Sequence, residues 1–218
     1  VRGHLVSEPG VRDEFSWTRT AARVFEQIED LAACSESDEF LLRRYLTDQH
    51  RAANALLSQW MTEAGMATRV DAAGNVIGRY AATVPEAPVL VVGSHQDTVR
   101  NAGRYDGPLG ILVGIAAVAW MNERAIRPDF HIEVVGFGDE EGVRFGTTFL
   151  GSRAMAGTLD PGVLANTDAD GISLADALAD FGLDAARLAE AACRADGLLG
   201  YLEVHIEQGP VLERHSHA

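Results

Sequence analysis

Cysteine, basic charge and long apolar runs are all scarce in this chain, and each scarcity removes a class of protein. Cys34 and Cys193 are its two cysteines, far apart in 218 residues, so neither a disulfide framework nor a zinc-finger spacing is present. Reduced thiols in a cytoplasmic protein are the expectation. Lys and Arg number 18 against 32 Asp and Glu, a net charge of −14. Phosphate binding wants a basic surface, so no nucleic-acid partner is expected. The longest apolar run, residues 110–121, falls short of the ~20 residues that span a bilayer. No membrane partner is expected either. The start has no long apolar core of a secretory signal, and it opens on Val1 rather than Met, so a start further upstream is expected. No repeat or low-complexity tract appears. What remains is ordinary globular composition, 47% hydrophobic and 23% charged. A small or cationic ligand in an acidic, metal-neutralised cleft suits that charge balance.

Along the chain, residues 1–16 are polar and read as a loose arm. From Ser16 the apolar residues Ala21, Val24, Phe25, Ile28 and Leu31 recur at helical spacing. Thr47 is placed to cap a second helix whose apolar face is Ala53, Leu56, Leu57, Trp60 and Met61, with Gly65 ending it. Residues 68–71 and 75–80 flank Ala72-Ala73-Gly74 and read as an antiparallel hairpin. Val89–Val92 is apolar without alternation, as in a strand buried on both faces. A helix from Gly107 to about Arg124 follows it and then a strand at 131–138, a βαβ crossover. Residues 150–157, 173–181 and 184–192 read as short helices, Ser173 with Asp176 resembling a capping box. Asp168-Ala169-Asp170-Gly171 lacks the remaining ligands of a calcium loop and reads as a turn. Tyr201–Glu207 alternates strictly and reads as the last strand. The fold class is therefore α/β, a mixed, largely parallel sheet flanked by helices.

Chemistry-bearing residues collect where these strands end. Ligands of open α/β sheets sit outside the carboxyl ends of the strands. His95 and Asp97 close the central strand, with Asp106 nine residues beyond Asp97. Glu140 and Glu141 follow the next strand, and His205 lies on the last. Imidazole and carboxylates are the donors that zinc or manganese accept. One of His95 and Asp97 can ligate while the other orients a ligand. Of two adjacent glutamates, one can ligate while the other serves as general base toward an activated water. A carboxylate such as Asp106 can bridge two ions. Taken singly, each segment also reads as a satisfied core histidine, a loop aspartate or a solvated acidic turn. Their recurrence at successive strand ends favours a site.

Gly93-Ser94-His95-Gln96-Asp97-Thr98-Val99, Tyr105-Asp106-Gly107, Asp139-Glu140-Glu141-Gly142-Val143-Arg144-Phe145 with Leu150-Gly151-Ser152-Arg153, and Leu202–Pro210 resemble the hydantoinase/carbamoylase branch of the aminoacylase-like dinuclear metallohydrolases. The resemblance runs from about Trp17 onward. Tyr45-Leu46-Thr47, His50–Asn54 and Asp71–Asn75 look most like allantoate amidohydrolases, with N-carbamoyl-amino-acid amidohydrolases and ureidopropionases carrying close variants. The resemblance implies two divalent ions (Mn²⁺, Zn²⁺ or Co²⁺). His95 and His205 would each bind one, Asp106 would bridge them and Glu141 would be a ligand of the second. It further implies Glu140 as general base, Asp97 as the residue orienting His95 or a neighbouring ligand, and Gln208 as a contact to a small-molecule ureido substrate. The implied reaction is hydrolysis of a linear C–N bond, allantoate first among substrates. A peptidase of the same superfamily is the poorer fit.

Against that family the chain stops early. Residues 17–213 correspond to the first part of the catalytic domain, and 214–218 form a tail that matches no motif. A lid domain, through which the intact protein would dimerise, and a returning segment with one more histidine ligand are expected beyond it. His215 and His217 read as an artefact of that ending rather than as replacement ligands. An inactive metal-binding fragment is the rival reading.

Overall fold

The computed structural model describes residues 14–193 and 195–217. The arm expected at 1–16 lies outside the described residues up to 13, and helix α1 (Glu14–Ala33) begins two residues sooner than its periodicity indicated. Its buried stripe is Val24, Gln27, Ile28 and Leu31. Phe25, counted among the apolar face, is instead 54% exposed and meets Tyr105 edge-on. α2 (Asp48–Glu63) starts as expected, the Thr47 hydroxyl accepting the His50 amide at 3.2 Å. Gly65 follows its end at φ +90°, where a side chain would be strained.

Five strands form one sheet: β1 (Ala67–Val70), β2 (Val76–Tyr80), β3 (Val89–His95), β4 (His131–Phe137) and β5 (Leu198–Leu202), in the order β1-β2-β4-β3-β5. β1, β2 and β4 pair antiparallel, whereas β4, β3 and β5 run parallel. The sheet is thus mixed, with its parallel half carrying the chemistry. β4, the middle strand, is buried throughout. In β3 the run Val89–Val92, expected to be buried on both faces, has Val91 buried and the other three half-buried, because its neighbour β5 is an exposed edge.

One face is covered by α1, α2 and α3 (Pro108–Glu123). Ile28, Leu31, Leu57, Met61, Ile111, Leu112 and Ile115 meet Val76, Tyr80, Ile132 and Val134 there. On the other face Ile77, Val91, Val135 and Phe137 meet Met155 of α4 (Leu150–Met155). A second apolar cluster joins Tyr45, Phe145, Leu150 and Phe181 to α5 (Leu174–Asp180), whose cap is Ser173 as expected. The short helix expected at 184–192 is present at residues 185–191, wound as a 3₁₀ helix. Asp168 accepts the Asp170 and Ile172 amides and pairs with Arg144, a turn as its sequence indicated. Both cysteines are free thiols. No helix among the described residues is long and apolar enough to cross a membrane.

The strand expected at 201–207 is displaced. Hydrogen-bonded pairing runs from Val89↔Leu198 to Val92↔Leu202, and residues 203–207 are irregular. The alternation there reflects an extended chain, and its apolar members Leu202 and Val204 are exposed. The tail closes in the single turn α6 (Val211–Arg214). Neither His215 nor His217 belongs to a group of converging donor atoms among the described residues.

Candidate metal centre

β3 ends by delivering His95, 3% exposed, to the carboxyl edge of the sheet. Its Nδ1 faces the Asp97 carbonyl at 3.0 Å. His205 arrives from the segment after β5, its Nδ1 facing the Ile206 carbonyl at 2.8 Å. A carbonyl can only accept, so each ring carries its proton on Nδ1 and turns an Nε2 lone pair inward. These two lone pairs point at one another across 3.3 Å. Asp106 Oδ1 lies 3.8 Å from His95 Nε2 and 3.4 Å from His205 Nε2. Gly107 makes that approach possible: at φ +88° it passes so close to the His95 carbonyl and ring that a Cβ would collide with both.

Two imidazole nitrogens and a carboxylate oxygen converging at these distances are a donor set that a divalent cation accepts. A second group shares the same imidazole: His95, Glu140 and Glu141 bring donor atoms within 4.8 Å of one another. The two groups share His95. The carboxylates of both Glu140 and Glu141 come within reach of His95. Glu140 and Glu141 are held there by Asp97. Its two carboxylate oxygens accept the Glu140 amide at 2.9 Å and the Glu141 amide at 3.1 Å. Asp97 therefore positions the acidic pair as well as standing 3.6 Å from His95 Nδ1. Gln208 donates to Asp106 Oδ1 at 2.7 Å, so it touches an expected ligand.

The electrostatics agree with a cation. Burial raises Glu140 and Glu141 above the usual carboxylate range, and burial with the neighbouring Asp97 pushes Asp139 up to about 8. Burial pulls His95 down, but the Asp97 carboxylate outweighs it and lifts the ring to about 9. The carboxylate field that would keep a proton on this histidine equally favours a metal ion. The chain contains no lysine, and no arginine side chain lines the cavity among the described residues. That cavity, about 880 Å³, opens from His95, Glu140, Glu141 and His205 toward an apolar wall that includes Phe137, Phe149, Met155, Leu198 and Tyr201.

Sequence reasoning missed the polar groups behind the site. Glu203 accepts the Ser94 and Tyr201 hydroxyls at 2.7 and 2.8 Å and anchors the approach to His205. Buried Arg43 donates to the carbonyls of Gln96, Leu31 and Cys34 and so fixes the residue between His95 and Asp97. Gln96, Asn54 and Asn75 add buried amides. Of these, Asn75 and Asn54 lay within stretches that carried the finer resemblance, and that was their only signal.

A parallel-stranded α/β edge with clustered histidine and carboxylate donors describes a class of metal-binding hydrolytic scaffold. Comparison makes it specific: residues 91–217 match the model of Peptidase family M20/M25/M40, and the chain belongs to that family. It is 51% identical over 171 residues to a Geobacillus stearothermophilus protein named N-carbamoyl-L-amino acid amidohydrolase, covering 78% of this chain and 42% of that protein. It is 41% identical over 194 residues to a probable allantoate deiminase of Oryza sativa subsp. japonica, covering 86% and 39%. Among solved structures it superposes on a hydantoinase/carbamoylase family amidase from Burkholderia ambifaria with a TM-score of 0.80 and 36% identity, over 89% of this chain and 47% of that one. The chain thus spans less than half the length of these relatives.

Proposed function

We propose that this chain carries the metal-binding part of an amidohydrolase that cleaves a linear C–N bond in a ureido group. The observation that carries the reading is the convergence of the His95 and His205 lone pairs on Asp106, beside the Glu140–Glu141 pair. His95, Asp106, His205 and Glu141 would hold two divalent ions, Mn²⁺, Zn²⁺ or Co²⁺. When bound, such ions supply Lewis acidity to the substrate carbonyl and acidify water. Glu140 takes the proton from the attacking water as its oxygen bonds to the ureido carbon, and passes it to the departing nitrogen as the C–N bond breaks. Asp97 keeps Glu140 and Glu141 in register with His95 through their amides. Gln208, bonded to Asp106, stands at the rim, where a substrate's ureido or carboxylate end would meet it.

Allantoate is the first substrate of this reading, supported by the named allantoate deiminases among the relatives. An N-carbamoyl-L-amino acid is the second. It is favoured by the 51% identity to a carbamoylase and by the apolar cavity wall, which suits an amino-acid side chain better than a second ureido group. Ammonia release from allantoate and from N-carbamoyl-L-amino acids, measured on the purified protein with added Mn²⁺, tests both. Release only from the carbamoyl compounds selects the second substrate, and release from neither, with no divalent ion bound, defeats the reading.

A further inference from the structure

We propose that Asn75 is a positioning residue that sets Glu140 and Glu141 against His95, a role that rests on the metal-site reading above. Asp71-Ala72-Ala73-Gly74-Asn75 makes the turn between β1 and β2. The Asp71 carboxylate closes it by accepting the Ala73 and Asn75 amides at 2.9 and 3.0 Å. A turn alone needs no more than that, yet the Asn75 side chain is fully buried and points away into the sheet's carboxyl edge. Its Oδ1 accepts the Gly138 amide at 3.0 Å, and its Nδ2 donates to the Gly151 carbonyl at 3.1 Å and to Asp71 at 2.9 Å. Gly138 directly follows β4 and Gly151 is the second residue of α4, so the two bracket the loop between them. One amide therefore pins both ends of the segment that bears Glu140 and Glu141.

The segment is gripped from within as well, by Asp97 at the two glutamate amides. A second path runs back to β3. Gln96, next to His95, donates to Asn54 Oδ1 at 2.8 Å, and Asn54 donates to the Gly74 carbonyl at 3.2 Å. The turn thus joins the two segments that make up the His95–Glu140–Glu141 group. The group of His95, Asp106 and His205 draws on residues after β3 and β5, which Asn75 does not touch. The fit at Gly151 is close: a Cβ there would collide with Asn75 Oδ1. Gly151→Ala should therefore disturb the same clamp from its opposite side.

The discriminating measurement is a calorimetric Mn²⁺ titration of the metal-free protein, repeated with Co²⁺ while its visible absorption is recorded. In Asn75→Ala and Gly151→Ala one ion should bind about ten-fold or more weakly, the usual scale for losing a residue that orients ligands, while the other is unchanged. Asn75→Asp keeps the acceptor for Gly138 but sets an oxygen against Asp71 and the Gly151 carbonyl where Nδ2 donated, so it should weaken binding of that ion at least as much as the alanine variant. Gly151→Ala decides the matter should neither substitution at Asn75 fold. A wild type that binds two ions, beside variants that weaken both equally or neither, overturns the inference alone. A wild type that binds no divalent ion overturns the metal-site reading and this inference with it.

Discussion

Glu140 and Glu141 are chemically identical neighbours, so their separate roles must come from position. Glu140→Gln keeps an oxygen donor and the Asp97 contact, which is made to the backbone, but cannot take a proton. Its rate should drop by about 100-fold or more with metal content near normal, whereas Glu141→Gln should lower metal occupancy. Elemental analysis beside the rate assay checks this, and equal metal loss in both would undo the division. His50 gives a residue-scale prediction about stability. Its Nδ1 accepts the Leu46 amide at 3.0 Å, and its ring stacks on Phe181. Burial, then the charges of Arg43 and Arg51, pull it down to about 3. The unfolded ring protonates near 6.5 and the folded one does not, so the unfolded state binds the extra proton between those values. The neutral ring's stabilisation is complete above pH 6.5 and is lost as pH falls toward 3. By about pH 5 the loss should reach about 2 kcal/mol. Urea unfolding of wild type and His50→Gln at about pH 7.5 and about pH 5 should show their difference shrinking by that amount; a constant difference would refute it. The metal-type residues were legible because their chemistry is rare at the ends of apolar runs. Arg43, Asn54 and Asn75 were not, because their partners are backbone carbonyls and amides of remote segments, which leave no periodic trace.

At the scale of elements, periodicity located every helix and strand whose neighbours are buried on the sheet, and it failed where pairing stops. β5 was placed three residues too late because Leu202, Val204 and Ile206 alternate, although β3 offers no partner beyond Val92. What holds 203–205 in place is instead the Ser94–Glu203 bond and the approach of the Val204 carbonyl to Gly110 of α3. A Cβ on Gly110 would collide with that carbonyl and lie 2.8 Å from Ser94 Cβ. Within a helix, glycine is ordinarily less favourable than alanine by about 1 kcal/mol, so Gly110→Ala would help α3 in isolation. In this chain the substitution has to push residues 203–205, and His205 with them, away from His95. The expected result mirrors that for Asn75: weakening by about ten-fold confined to the ion held by His95, Asp106 and His205. The same Mn²⁺ titration reads it, and an unaltered ion at that group would show that Gly110 does not govern the approach of His205.

For the whole molecule the balance lies between a large negative charge and an apolar margin exposed among the described residues. β5 is a sheet edge, with Leu199, Tyr201 and Leu202 exposed by 55, 46 and 57% and Val204, Val211 and Leu212 close by at 44, 55 and 44%. An edge of this kind offers unpaired backbone groups and apolar area to another chain. The net charge of −14 opposes any such approach by a second copy. Charge repulsion is screened by salt while apolar contact is not, so the two can be separated. Raising ionic strength from about 0.01 M to about 0.15 M shortens the screening length from roughly 30 Å to roughly 8 Å. The protein should then self-associate more strongly as salt rises, the opposite of what a charge-paired interface would do. Sedimentation velocity across a concentration series at both salts measures this. Leu199→Lys with Leu202→Lys removes apolar area and places charge on the edge strand, which should return the protein toward monomer at the higher salt. A wild type that is monomeric at every concentration and salt, or association that weakens as salt rises, would show that this margin is not sticky and that the charge alone governs how copies meet.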